Sequence, residues 1–116
     1  MISPEKKVRV VCRIHEQSPV GWLAARKLGS KSVAVTLGRH IYLWGAGAGD
    51  FLGDEAWVRH ELCHVRQFKK YGWLPFLWLY LLENMRHGYR GNRFETAACQ
   101  ASREKEPLAG YLFETC

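Results

Sequence analysis

Apolar and polar positions change period several times along the chain, and each change marks a predicted element. "KVRVVCRI" (7–14) mixes charged and β-branched residues in the manner of a strand with one wet face. "SPVGWLAARKLG" (18–29) reads as a helix: Ser18 can cap it, Pro19 suits its first turn and Gly29 suits the position past its end. "SVAVTLGRHIYLWG" (32–45) holds two alternating runs around "GR", which predicts a hairpin. "AGAGDFLGD" (46–54) is rich in glycine and carries no helical pattern, so a loop is expected there.

Helical spacing takes over downstream. Asp54 is placed to cap a helix running to about Lys70 and ended by Gly72. Pro75 opens a second helix that reaches about His87 before Gly88, and "YRGN" breaks it. Asn92 can cap a last helix of roughly ten residues, with Pro107 beyond its end. The order strand, helix, hairpin, three helices predicts an α+β fold, a short antiparallel sheet with helices on one side. The 116 residues suit a single domain over 1–116, and there is no internal repeat or linker.

Charge and composition narrow the classes. The net charge of +6 favours acidic partners, but no run of four basic residues occurs, so nucleic acid is not the expected partner. The longest apolar run, "WLPFLWLYLL" (73–82), is about half of what a membrane-spanning helix needs. Its Trp73, Phe76, Trp78 and Tyr80 are expected in core packing. The other reading is a helix lying on a membrane surface beside Lys69, Lys70 and Arg86. The N-terminus lacks a signal-like apolar stretch and the four cysteines form no CxxC pair, which predicts reduced thiols in a cytoplasmic protein. Cys12, Cys99 and Cys116 are expected to be inert. The tail "PLAGYLFETC" either docks through Tyr111, Leu112 and Phe113 or stays loose, and oligomeric state is left open.

The chemistry concentrates in "VRHELCHVRQF" (58–68). On a helix His60 and His64 fall about 40° apart, one turn above each other, so both imidazoles can reach one point. Two ligands of a tetrahedral zinc need that arrangement. Glu61 lies beside the pair, where its carboxylate can address a water instead of the metal. Trp57, Val58, Leu62, Val65 and Phe68 continue the same arc, while Arg59, Arg66 and Lys70 stand opposite. The alternative is two histidines satisfied by ordinary hydrogen bonds at the border of the core.

Zinc with one open position needs a third protein ligand. Glu95 in "GNRFETAACQA" (91–101) is a candidate, but Asn92 followed by Glu95 also has the spacing of a capping box. Glu83 and His87 on the preceding helix, or the thiols of Cys63 and Cys99, could serve instead. Cys63 falls on the basic side of the wheel near Arg59 and Arg66. It is either an activated thiol or, as the commoner case, a small side chain on a helix flank.

"HELCHVRQFKKYG", the apolar helix, "YRGNRFETAA" and the upstream "TLGRHIYLWG" together resemble small bacterial zincin-like domains of the gluzincin type, over about residues 33–101. The resemblance implies one zinc ion held by His60, His64 and Glu95, with Glu61 as general base in hydrolysis of a peptide or protein. It also favours "HIYLW" as an edge strand able to hold an extended peptide by strand addition, the alternative being an interior strand paired on both sides. Larger gluzincins carry a separate substrate lobe, for which this chain leaves no room, and no oxyanion-stabilising residue is matched. Tyr89, in the turn before Glu95, is the first candidate for that part, with His87 and Tyr42 behind it. Two other functions fit the residues: a catalytically inactive zincin fold kept for binding or regulation, and a basic protein that contacts nucleic acid or lipid.

Overall fold

The computed structural model describes residues 10–104 and 111–115. Within them the elements run β1 (Val10–His15), α1 (Pro19–Leu28), β2 (Val33–Leu37), β3 (His40–Trp44), α2 (Ala48–Leu52), α3 (Glu55–Tyr71), α4 (Trp73–Gly91), α5 (Arg93–Arg103) and β4 (Tyr111–Thr115). The α+β class expected from the sequence is the one observed. Residues 7–9 of the first predicted strand, Pro107 and Cys116 lie outside the described residues.

The four strands form one sheet in the order β2-β3-β1-β4. β2 and β3 are the antiparallel hairpin, with Leu37 opposite His40 across the two-residue turn. Gly38 takes φ +68 there, a conformation glycine adopts without steric cost. The rest of the sheet is parallel: β1 runs beside β3, and β4 beside β1. The sheet is therefore mixed and not antiparallel throughout. The tail docks, pairing Leu112 with Val11 and Phe113 with Cys12.

That order corrects one expectation. β3, the "HIYLW" strand, is interior, because β1 occupies its second side through Arg13↔His40 and Ile14↔Ile41. The terminal strand on the helix side is β2, whose Thr36 meets α3. Local alternation cannot reveal this, since the pairing of β1 with β3 joins segments separated by α1 and β2.

α3 starts at Asp54, whose side chain accepts from Trp57 N, and carries Lys69 and Lys70 in its last turn, each complementing the helix dipole. Its Val58, Leu62 and Val65 pack on Cys12 and Ile14 of β1 and Ile41 and Leu43 of β3. Phe51 completes this core from α2, a short helix where a loop was expected. An Asp50 carboxylate bonded to Gly47 N starts α2, and burial of Ala48 and Phe51 holds it, so five residues suffice despite Gly49.

A second core joins the three C-terminal helices: Phe76 of α4 is 1 % exposed, with ring centroids 4.6 Å from Phe68 and 4.9 Å from Phe94. Burying such a ring stabilises by roughly 1.5–3 kcal/mol. Between α3 and α5 the small side chains of Cys63, Ala98 and Ala101 let the helices approach closely. Cys63 thus lies in that interface as a small buried side chain, the commoner of the two cases expected for it. α1 rests on the hairpin, where a Cβ on Gly21 would come 2.9 Å from the Leu43 carbonyl carbon. No helix among the described residues is long and apolar enough to cross a membrane.

Candidate metal centre

Two helices converge on one point. α3 presents His60 and His64 on the flank of its apolar face, and α5 presents Glu95 from its first turn. His60 Nε2 lies 3.2 Å from Glu95 Oε1, and His64 Nε2 lies 3.3 Å from Glu95 Oε2. One ligand atom from each of the three residues falls within 4.8 Å of the others. The edges of a tetrahedron around zinc, with ligands about 2.0–2.1 Å from the ion, are ~3.3 Å long. The donor set fits: two imidazoles and one carboxylate, with each imidazole about one such edge from a carboxylate oxygen, could hold one divalent ion.

The capping-box alternative for Glu95 fails for a specific reason. Asn92 caps α5 by accepting from Phe94 N at 2.8 Å, and Glu83 Oε1 takes Arg93 N at 3.1 Å. The start of the helix is satisfied without Glu95, whose carboxylate turns to the histidines instead. Glu83 is also paired with the Arg93 guanidinium, and His87 is exposed on the far side of the Gly88 break. Neither joins the group, nor do Cys63 and Cys99.

Partners behind the ligands hold their orientation. Gln67 Oε1 lies 2.8 Å from His64 Nδ1, so the imidazole donates there and keeps the Nε2 lone pair for a metal. The same amide donates to the Phe94 carbonyl at 3.2 Å, tying α3 to the residue before Glu95. The Tyr80 hydroxyl donates to Glu95 Oε2. Tyr80 and Gln67 were not legible as site residues; the one available signal was that Tyr80 carries the only hydroxyl in "WLPFLWLYLL".

Glu61 is buried beside the ligands and separate from them. Thr36 Oγ1 of β2 donates to its Oε1 at 2.7 Å, while its Oε2 is 3.9 Å from His60 Nε2. Burial raises the Glu61 pKa, against the opposing charges of His64 and His60 and the Thr36 hydrogen bond. For Glu95 burial works the same way, but hydrogen bonds from His60, His64 and Tyr80 outweigh it and hold the carboxyl well below the usual range. Burial would lower the His64 pKa; its bond to Glu95 and the charges of Glu61 and Glu95 reverse that and bring it up to about 9. The point where the three side chains meet therefore favours positive charge.

A groove of about 720 Å³ opens onto these residues. Ala34 to Leu37 of β2 line it, with Leu28 of α1 and Leu77 and Tyr89 of α4. Tyr89 lines it too, beyond the Gly88 break where φ +74 turns the chain, and its hydroxyl, with its pKa raised by burial, also hydrogen-bonds to Glu95. Tyr42 does not reach the groove: it lies on the other face of β3, stacked on His15 with centroids 4.6 Å apart.

An α+β domain that gathers two histidines one turn apart, a remote carboxylate and a separate buried glutamate at the end of a groove has the parts of a metal-dependent site. The chain belongs to the eCIS core domain family, which matches residues 12–72, just over half its length, and is related to zincin-like metallopeptidases. The match includes His60, Glu61 and His64 but ends before Glu95, so only geometry connects that residue to the site. No curated protein and no solved structure gives a significant match.

Proposed function

We propose that this protein is a zinc-dependent hydrolase of peptide bonds. The observation that carries the reading is the convergence of His60, His64 and Glu95 on one point, with the Glu61 carboxylate beside them, hydrogen-bonded to Thr36 and 3.9 Å from His60 Nε2. In the proposed site His60, His64 and Glu95 hold the zinc. Zinc, when bound, supplies Lewis acidity toward a carbonyl oxygen and toward water.

The protein's own groups do the rest. Thr36 immobilises one oxygen of Glu61, which leaves Oε2 on the side of the ligands to accept a proton from the attacking water. The same oxygen then returns that proton to the departing amine. Tyr89, which lines the groove and bonds to Glu95, would turn its hydroxyl to the oxyanion. Tyr80 is committed to Glu95 and serves to orient that carboxylate. An extended peptide can lie along β2, the terminal strand of the described sheet, and pair with its backbone.

The test has two parts. Protein purified without added metal should contain close to one zinc per chain, and His60→Ala and His64→Ala should lose it. A folded wild-type protein that takes up no zinc ends the proposal. Glu61→Gln should retain zinc and lose hydrolysis of a peptide library; cleavage that persists in that variant removes Glu61 from the base role. Zinc binding without any cleavage would favour a zincin fold kept for binding alone.

A further inference from the structure

Helix α4 has apolar side chains on both sides. Its inner side buries Phe76, while Leu74, Trp78, Leu81 and Met85 stand 72 %, 70 %, 48 % and 84 % exposed on the other. Their spacing of four, three and four residues sets them in one stripe within about 60° of arc, opposite Phe76. A surface helix that is apolar all round is covered by something in its working state. The aromatic residues expected together in packing thus divide: Phe76 and Tyr80 face the core, and Trp78 faces out.

Charge identifies what covers the stripe. Exposed Lys69 and Lys70 end α3 next to the start of α4, Arg86 follows Met85, and Lys27 lines the groove that Leu81 and Met85 also border. The one acidic residue between Trp73 and His87 is Glu83, which is turned away and paired with Arg93. Of the exposed acids, Asp54 and Glu55 lie at the other end of α3 from Lys69 and Lys70, ~25 Å along a 17-residue helix, and Asp54 comes near α4 at Tyr89 and Arg90, past the end of the stripe. An apolar stripe containing tryptophan and leucine, ringed by cations, is complementary to an anionic bilayer. A second copy of this chain would bring the same cations against them.

We propose that the outer face of α4 docks on an anionic lipid bilayer. The side chains of Leu74, Trp78, Leu81 and Met85 enter the interface, and Lys69, Lys70, Arg86 and Lys27 meet lipid phosphates. The helix lies in the plane of the membrane and does not cross it. None of these residues belongs to the metal group, but Lys27, Leu81 and Met85 also border the groove, so vesicle binding and zinc content are read separately.

Co-sedimentation with phosphatidylglycerol-containing vesicles tests it, with pure phosphatidylcholine vesicles as the comparison. Binding should require the anionic lipid and fall on the order of tenfold between low and high salt. Trp78→Gln with Leu74→Gln should lower it by about tenfold or more, with zinc content unchanged. If that double variant misfolds, Lys69→Glu with Lys70→Glu alters only exposed side chains and should also reduce binding. His60→Ala should bind vesicles as the wild type does. No binding to either vesicle, equal binding by the variants, or a dimer that Trp78→Gln dissociates while vesicles go unbound would each overturn the proposal.

Discussion

Gln67 holds His64 from behind, its amide oxygen 2.8 Å from the imidazole Nδ1 while its amide nitrogen donates to the Phe94 carbonyl. One side chain thereby fixes a ligand on α3 and the approach of α5, which carries another. Gln67→Leu removes both bonds and should weaken zinc binding by about 10–100-fold. Gln67→Glu keeps an acceptor for Nδ1 and should retain most of the affinity. Competition with a chromophoric chelator measures both; equal affinities for wild type and Gln67→Leu would deny Gln67 a positioning role.

Thr36 acts on the proposed base and on none of the ligands. Thr36→Val preserves shape but removes the donor to a buried carboxylate, an interaction worth roughly 1.5–3 kcal/mol. Peptide hydrolysis should fall by about tenfold or more with zinc stoichiometry unchanged, and Thr36→Ser should restore much of it. Loss of zinc in Thr36→Val would mean that Thr36 supports the whole site.

Asn92 is fully buried and joins two helices: it caps α5 at Phe94 N and donates to the Tyr80 carbonyl and to Asn84 Oδ1. Asn92→Ala loses the cap and leaves buried acceptors without their donor, so the fold should lose about 2–3 kcal/mol. Asn92→Asp keeps the cap alone and should fall between. Urea titration of the three proteins gives the order.

Cys12 is fully buried in the sheet core, and burial raises its pKa from 9.0 to about 11 against the lowering effect of the Arg39 charge. The folded state therefore keeps the thiol proton after the unfolded chain has released it. This contribution to stability is whole below pH 9 and is lost as pH rises from 9 to about 11. The loss reaches at most about 3 kcal/mol. Wild type should thus lose more stability than Cys12→Ala over that range, measured by denaturant unfolding. In the native protein at pH 8, iodoacetamide should label exposed Cys99 and spare Cys12.

Much of the site was legible because it is local. His60, Glu61 and His64 share one helix, so the period of that helix alone sets their relation to each other and to Val58, Leu62 and Val65. Capping residues marked helix ends in the same way: Ser18, Asp54 and Asn92 all accept the backbone bonds that their positions suggested. Local rules were less informative where burial overrides propensity, as in the glycine-rich segment that forms α2 around Phe51.

What the chain alone determined is the period of β2, β3 and the longer helices, the caps of α1, α3 and α5 and the histidine pair on α3, because backbone hydrogen bonding and side-chain repeat are properties of neighbours in sequence. Only the tertiary structure decided that β2 and not β3 borders the site, that Glu95 turns to the histidines and not to its own helix start, and that Tyr80, Gln67 and Thr36 stand behind them. Those relations join residues 3 to 35 positions apart. All but the shortest depend on how the core seats α3, α4 and α5 against the sheet, which no single segment encodes.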